Sequence, residues 1–330
     1  MRVSNSKLGT FRRCKKRYEY KYVMGLRPKT KERPLELGSW VHELLQYHYD
    51  GEDWKSRHKL KTKQFYGLFE EEREMLGDVP ETAKRIMQGY IRRYKDEDRQ
   101  YRVVDSELDE IVTLPNGLEL NVVVDLVVED RRGRLWAWDH KVRKKWGDGD
   151  SMLLDPQLTH YFWALNHLGY SPLAGVVYNE LRSKPPVIPE QVKSGGLTKR
   201  MNIDSDVYTY MSEIRRLGLN VEPYANILQA LARKQKNKFF RRTVLPKDKV
   251  MIKTMMGELV MTARDMARAE RRQEFPRTFI PNSCKWDCAY RDLCIAELHG
   301  SNIDTMVRTS FTVSDRHRRG EEEKNRVSQE

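Results

Sequence analysis

The chain has 330 residues, 39% of them hydrophobic and 33% charged, and its 61 Lys and Arg against 48 Asp and Glu leave a formal charge of +13. That length buries a substantial core without disulfides, and no run approaches the ~20 apolar residues that span a bilayer, which excludes an integral membrane protein. Gly 19 and Pro 13 exclude a collagen-like or low-complexity chain, and the basic excess predicts a polyanionic partner, nucleic acid or an acidic membrane surface.

The opening Met1 to Leu8 has no apolar signal-peptide core, so the protein is expected inside the cell. Residues 6–23 read as a basic amphipathic helix with Leu8, Phe11, Tyr18 and Tyr22 inward. Residues 37–49 read as a second helix, with Val41, Leu44, Leu45 and His48 on one stripe. Charged helical patterns follow at 58–76 and 81–98. Near residue 102 the period falls to two. β-Branched runs at 102–114 and 118–129 flank Pro115-Asn116-Gly117, a hairpin turn signal. A third strand is predicted over 135–142, then a helix at 155–168 and a strand at 173–181. Residues 183–205 read as a long loop, helices are predicted at 206–218, 223–235 and 247–271, and the charged end from Asp315 is expected to be disordered. The order describes a mixed α/β unit around one sheet.

Chemistry gathers on that sheet. Asp125 interrupts the apolar run Val122 to Val128, where an ionised carboxylate is costly unless something pairs with it. The next strand carries Asp139 and Lys141 two apart on one face, with Trp136, Trp138 and His140 on the other. Two neighbouring carboxylates repel, and a divalent cation with hard oxygen ligands, Mg²⁺ or Mn²⁺, resolves the repulsion. Each feature alone has a plainer reading. Asp139–Lys141 is then a surface ion pair, Asp125 a bulge residue, His42 a satisfied core histidine, and Gln157 with Tyr161, at i and i+4, helix packing.

Four cysteines are too few for a disulfide scaffold of this size. Cys14 lies in the first helix, and Cys284, Cys288 and Cys294 cluster near the other end. Four thiolates suit a 4Fe–4S cluster or a tetrahedral zinc site, and spacing alone leaves both open.

Together, Gly38-x-x-x-His42, Asp125, Asp139-x-Lys141 and Gln157-x-x-x-Tyr161 come in the order and rough spacing of the PD-(D/E)xK nuclease superfamily. The chain resembles its RecB/AddB-type branch, which includes CRISPR-associated iron–sulfur nucleases and related phage exonucleases, over residues 6–181 and 276–299. It departs in having Asp139 where Glu is commoner, in lacking Pro before Asp125, and in a C-x3-C-x5-C trio where C-x2-C-x5-C is usual. The resemblance implies a restriction-endonuclease-like α/β core, a mixed sheet flanked by helices, with a helical insertion and an iron–sulfur cluster joining the two chain ends. On that basis the chain divides into a cysteine helix (1–36), a nuclease core (37–181), a loop and helical DNA-binding region (182–275), a C-terminal cysteine segment (276–314) and a tail (315–330).

It further implies that His42, Asp125, Asp139 and the His140 backbone carbonyl hold Mg²⁺ or Mn²⁺, and that Lys141 orients the attacking water. Gln157 and Tyr161 are expected to support the substrate strand or Lys141, with Glu107 a weaker candidate. Cys14, Cys284, Cys288 and Cys294 are expected to ligate a structural 4Fe–4S cluster, zinc being the lesser choice. The implied activity is exonucleolytic hydrolysis of linear or single-stranded DNA in phage-type recombination, replication or DNA processing. The implied setting is the cytoplasm of a bacterial or phage-infected cell, with DNA and a single-strand annealing or recombination protein as partners. A CRISPR spacer-processing nuclease and a non-catalytic DNA-binding protein with zinc on its four cysteines are the alternatives. DNA contact is expected from Arg143, Lys144 and Lys145 just past Lys141, from Arg12 and Lys16 beside Cys14, and from Lys238 and Arg241. The last two belong to the basic segment 233–242 around Phe239 and Phe240, whose rings either stack on bases or sit in the core.

Overall fold

The computed structural model describes residues 1–114, 117–234, 238–246 and 248–314; part of the predicted hairpin turn, part of the basic segment and the charged tail lie outside these residues. The chain runs β1 (Arg2–Ser4), α1 (Asn5–Arg13), α2 (Lys15–Tyr18), a π-helical turn (Glu19–Val23), β2 (Leu26–Pro28), α3 (Arg33–Tyr49), α4 (Trp54–Tyr66), α5 (Glu70–Leu76) and α6 (Val79–Asp98). It continues with β3 (Tyr101–Thr113), β4 (Glu119–Asp130), β5 (Leu135–Arg143), α7 (Gly149–Leu153), α8 (Pro156–His167), β6 (Leu173–Arg182), α9 (Val207–Arg216) and α10 (Ala225–Lys234). It ends with β7 (Phe240–Leu245), α11 (Lys249–Arg272), α12 (Pro281–Trp286), α13 (Arg291–Leu298), α14 (Asp304–Ser310) and β8 (Phe311–Val313). No helix of the described residues is long and apolar enough to cross a membrane.

Two interleaved units share this chain: Met1–Lys31, Glu110–Val122 and Lys249 onward form the first, Glu32–Asp109 and Val123–Asp248 the second. In the second unit β5 pairs antiparallel with β4 (Leu126↔Trp138) and parallel with β6 (Asp139↔Tyr178), and β7 closes antiparallel on β6 (Glu180↔Arg241). This is the mixed sheet the α/β order predicts. Helix α3 buries Leu37, Trp40, Val41, Leu44 and Leu45, an i, i+3, i+4 stripe, and α6 answers with Ala83, Ile86, Met87, Tyr90 and Tyr94. Phe239 and Phe240 join this core, so these rings do not face solvent for base stacking. The end of the segment read as a basic patch is instead strand: Phe240, Arg241 and Arg242 open β7, with Arg241 paired to Glu180 and Arg242 to Glu97 and Asp98. A smaller cluster packs α9 against α10 through Tyr210, Ile214, Ile227 and Leu231.

In the first unit β1 runs parallel to the beginning of β4 (Val3↔Leu120), and β2 pairs antiparallel with β8 (Arg27↔Thr312). The single helix expected over 6–23 breaks at Cys14, whose backbone is extended (φ −162, ψ 118). Its N–H closes α1 on the Thr10 carbonyl at 3.0 Å, and its own carbonyl accepts from Tyr18 N at 3.0 Å to open the next helix.

Candidate active site

The site lies in the second unit, where β4 and β5 run side by side. Their register places Asp125 opposite Asp139, one step beyond the Leu126↔Trp138 pair. The Asp125 carboxylate takes the place of a ladder carbonyl: the His140 backbone N–H donates to its Oδ2 at 2.6 Å. Asp139 is fully buried, and its Oδ1 accepts from Lys141 Nζ at 2.8 Å. Its Oδ2 is also buried and has no hydrogen-bond partner. A buried carboxylate oxygen without a donor is expensive, so the position calls for a cation or a ligand proton.

Helix α3 brings His42 over the strands, with Nδ1 3.5 Å from Asp125 Oδ1. Glu107 interrupts β3 with a left-handed backbone (φ +46), a conformation that a residue with a Cβ adopts at a cost of about 1–3 kcal/mol. One ligand atom each from His42, Glu107 and Asp125 lie within 4.8 Å of one another. His42 and Glu107 border a cleft of about 530 Å³ that Gly38, Lys141 and Val142 also line. A Cβ at Gly38 would meet nothing within 4 Å, so glycine there keeps the cleft wall open and is not forced by packing.

Electrostatics sort these groups. Burial pushes Asp125 up, but the hydrogen bond and charge of His42 outweigh it and hold the carboxyl below its usual range. Burial, reinforced by Asp125, pushes Asp139 up in spite of Lys141. Glu107 is raised by the same two causes, burial first and then Asp125. Burial opposes charge on Lys141, yet Asp139 and Asp125 raise it on balance and keep the ammonium protonated. Without a counter-ion Asp125 thus raises both Asp139 and Glu107, the mutual repulsion of neighbouring carboxylates that a divalent cation relieves. His42, the three carboxylates and the unpaired Oδ2 fit a hard metal ion.

A family model described as the PD-(D/E)XK nuclease superfamily matches residues 2–295. The chain belongs to the PD-(D/E)XK nuclease superfamily. It is therefore a metal-dependent nuclease with a restriction-endonuclease-like core. No curated protein matches the chain.

Around the nuclease centre, Gln157 Oε1 accepts from Lys141 Nζ at 3.4 Å, and Gln157 Nε2 donates to the Tyr161 hydroxyl. The structure thus joins the helix pair to the strand lysine. Asp155 caps α8 by accepting from Gln157 N at 2.9 Å, and its other oxygen accepts from the Tyr178 hydroxyl at 2.5 Å. Tyr178 is the β6 partner of Asp139, so one carboxylate ties the helix start to the strand beside the acids. The Asp155-Pro156 pair is a legible helix-start signal, though only the fold reveals what else it holds. Behind the site the His140 ring is buried and neutral, its pKa pushed down by burial to about 3. Its Nδ1 accepts from Asn179 Nδ2 at 2.8 Å, which also donates to the Tyr90 hydroxyl at 2.8 Å. Arg242 completes this network, pairing with Asp98 at 2.6 Å and donating to Tyr90 at 2.8 Å. Asn179 and Glu180, two polar residues inside the apolar run of β6, were the available sequence signal for this layer.

The expected DNA-contact cations fare differently. Arg12 is tied to Thr262 Oγ1 (2.9 Å) and the Glu258 carbonyl (3.2 Å), and Lys16 to Glu19 (2.6 Å) and Glu297 (2.8 Å). Lys238 pairs with Asp204, and Arg241 with Glu180 and the Gly147 carbonyl. Arg143 donates to the Tyr178 hydroxyl at 3.2 Å, while Lys144 and Lys145 are exposed.

In the first unit Cys14, Cys284, Cys288 and Cys294 line one cavity of about 570 Å³. Cys294 Sγ accepts from Arg277 Nε at 3.2 Å and Cys284 Sγ from the Ile280 N–H at 3.5 Å. The Cys288 thiol is pushed up by burial, with Cys284 and Cys14 adding to the rise.

Proposed function

We propose that the protein is a deoxyribonuclease of exonuclease type, hydrolysing linear or single-stranded DNA in phage-type recombination, replication or DNA processing. The observation that carries the catalytic assignment is the buried, unpartnered Oδ2 of Asp139 beside the His42–Glu107–Asp125 group. Exonuclease character and pathway rest on the resemblance to the RecB/AddB-type branch, and so does a single-strand annealing or recombination protein as partner.

In this reading His42, Asp125 and Asp139 hold Mg²⁺ or Mn²⁺ with the His140 carbonyl, and Glu107 joins them. When bound, the ion supplies a Lewis acid for the scissile phosphate and a water acidified towards neutrality. Lys141, kept charged between Asp139 and Gln157, offsets negative charge on the reacting phosphate and orients the water. Gln157 holds Lys141 through its carbonyl oxygen and Tyr161 through its amide, fixing the ammonium at the cleft wall.

The four cysteines are assigned to a structural 4Fe–4S cluster. The four line one cavity, and the choice of cluster over tetrahedral zinc rests on the resemblance to the iron–sulfur branch.

The test is cleavage of end-labelled linear and covalently closed DNA with Mg²⁺, Mn²⁺ or chelator, on anaerobically purified protein whose absorbance is recorded. The expected result is a brown protein absorbing near ~400 nm that degrades linear DNA only with metal. An Asp139→Ala protein that still cuts DNA at the wild-type rate overturns the site. A colourless zinc protein overturns the cluster.

A further inference from the structure

We infer that a second pocket, adjoining the metal cleft, holds a non-scissile phosphate of the substrate strand on Arg33, Lys144 and Arg182. The inference rests on the nuclease reading above and adds to it where the strand goes beyond the reacting bond.

The pocket has a volume of about 500 Å³ and shares Pro34 and Val142 with the metal cleft. The two differ in charge. Glu43 and Glu107 border the first together with His42 and Lys141, whereas Arg33, Lys144, Arg182 and Lys184 border the second, with no carboxylate among its lining residues. Lys184 is already paired with Asp204 at 2.8 Å, which leaves three cations for a ligand. Like charges brought together on a fold repel unless an anion sits among them, and hydroxyls of Thr82 and Ser183 offer further donors.

Arg182 supplies an independent observation. Its Nε is buried and has no hydrogen-bond partner. The guanidinium is nonetheless held in place, over the Trp146 ring at 5.7 Å, and the backbone N–H is bound to the Phe239 carbonyl at 2.9 Å. A guanidinium held over a ring with its Nε still lacking an acceptor suits the fork of a phosphate. The segment that carries Lys144 is equally fixed. Arg241 donates to the Gly147 carbonyl at 2.7 Å, the Gly147 N–H donates to Glu180 at 2.9 Å, and Ser183 N donates to the Arg143 carbonyl at 2.9 Å. A preformed site loses less freedom on binding than one assembled from mobile lysines.

Distance suits the assignment. Lys144 follows the end of β5 three residues after Lys141, about 10 Å along the chain, which is the scale of a short step along a nucleic-acid backbone. A strand with its scissile phosphate at Lys141 therefore brings a neighbouring phosphate to Lys144 and Arg182. That phosphate is either the strand's terminal monoester or an internal diester, and both present the same oxygens.

The experiment measures binding of a 5′-phosphorylated dinucleotide to the full chain without divalent metal, with inorganic phosphate as competitor, for wild type, Arg182→Gln and Lys144→Gln. Lys144 is exposed, so its replacement keeps the fold even where Arg182→Gln disturbs packing. We expect each variant to bind about tenfold more weakly, and metal-supported cleavage to lose through KM more than through kcat. If the loss appears only with 5′-phosphate ends, the pocket takes the terminal monoester; if 5′-hydroxyl strands lose equally, it takes an internal diester. Unchanged affinity in both variants overturns the pocket. A wild-type protein that binds the dinucleotide through these residues but cuts no DNA with any metal overturns the nuclease reading and leaves the pocket standing.

Discussion

At the scale of single residues, Asp139 does the most with the least help. Its carboxyl is buried, one oxygen is bonded to Lys141 and the other to nothing. We expect Asp139→Ala and Asp125→Ala to lose activity by on the order of 10³-fold or more, measured as kcat on linear DNA, with binding to DNA retained. Asn179→Ala removes the donor to the His140 ring, one layer behind the acids, and is expected to cost about 10–100-fold in metal-supported activity. The pH dependence follows from the same carboxyl, raised from the ordinary 3.8 to about 6 by burial first and then by Asp125. A raised carboxyl favours the folded state when protonated, so the metal-free protein gains from this group below pH ~4 and loses that stability as pH rises through 6. A divalent ion needs the ionised form. Added Mg²⁺ or Mn²⁺ should therefore raise the melting temperature more at pH 8 than at pH 5, a comparison that calorimetry reads directly.

Between elements, β7 and α6 show what holds the sheet. Gly89 in α6 faces Phe240: a Cβ there would lie 2.9 Å from Cζ of that ring and 3.4 Å from Pro186 Cδ. Replacing glycine by alanine inside a helix gains about 1 kcal/mol, but crowding a packed ring costs about 1–3 kcal/mol. The ring cannot swing away, because Tyr90 and Tyr94 pack edge-on against it. Gly89→Ala is expected to destabilise by about 1 kcal/mol in chemical denaturation. Arg242 is more consequential. Its side chain is only 8% exposed and sits 3.6 Å from the Tyr94 ring centroid while pairing with Asp98. Arg242→Leu strands a largely buried carboxylate and should cost about 3–5 kcal/mol. The network it anchors reaches His140 through Tyr90 and Asn179, so activity should fall with stability.

For the whole molecule the decisive feature is the way the chain revisits its first unit. Cys14 meets Cys284, Cys288 and Cys294 around one cavity, and β2 pairs with β8. Closing so long a loop has an entropy cost of about 5 kcal/mol on the scale measured for cross-links. The cluster proposed on the four thiols would offset that cost. Cys14→Ser is expected to lower the melting temperature of the first unit, seen as an earlier transition in a heat scan.

The residues we propose for the chemistry could be picked out as a string. Asp125, Asp139-x-Lys141 and Gln157-x-x-x-Tyr161 betray themselves because strand alternation and helical period are local, and local geometry is written in spacing. The mixed sheet was legible for the same reason, except the short β1 and β7, the latter hidden by a basic composition that resembles a surface patch. What the tertiary structure decided is which charges are already spent. Arg12, Lys16, Lys238 and Arg241 look alike in sequence to Arg33, Lys144 and Arg182, yet the first four meet acceptors of the protein's own. Glu107 reaches His42 and Asp125 only through a left-handed turn inside a strand. Pairing between residues far apart in the chain depends on packing, which no local period encodes, and so the nuclease family could be read from the sequence while the surroundings of the proposed site could not.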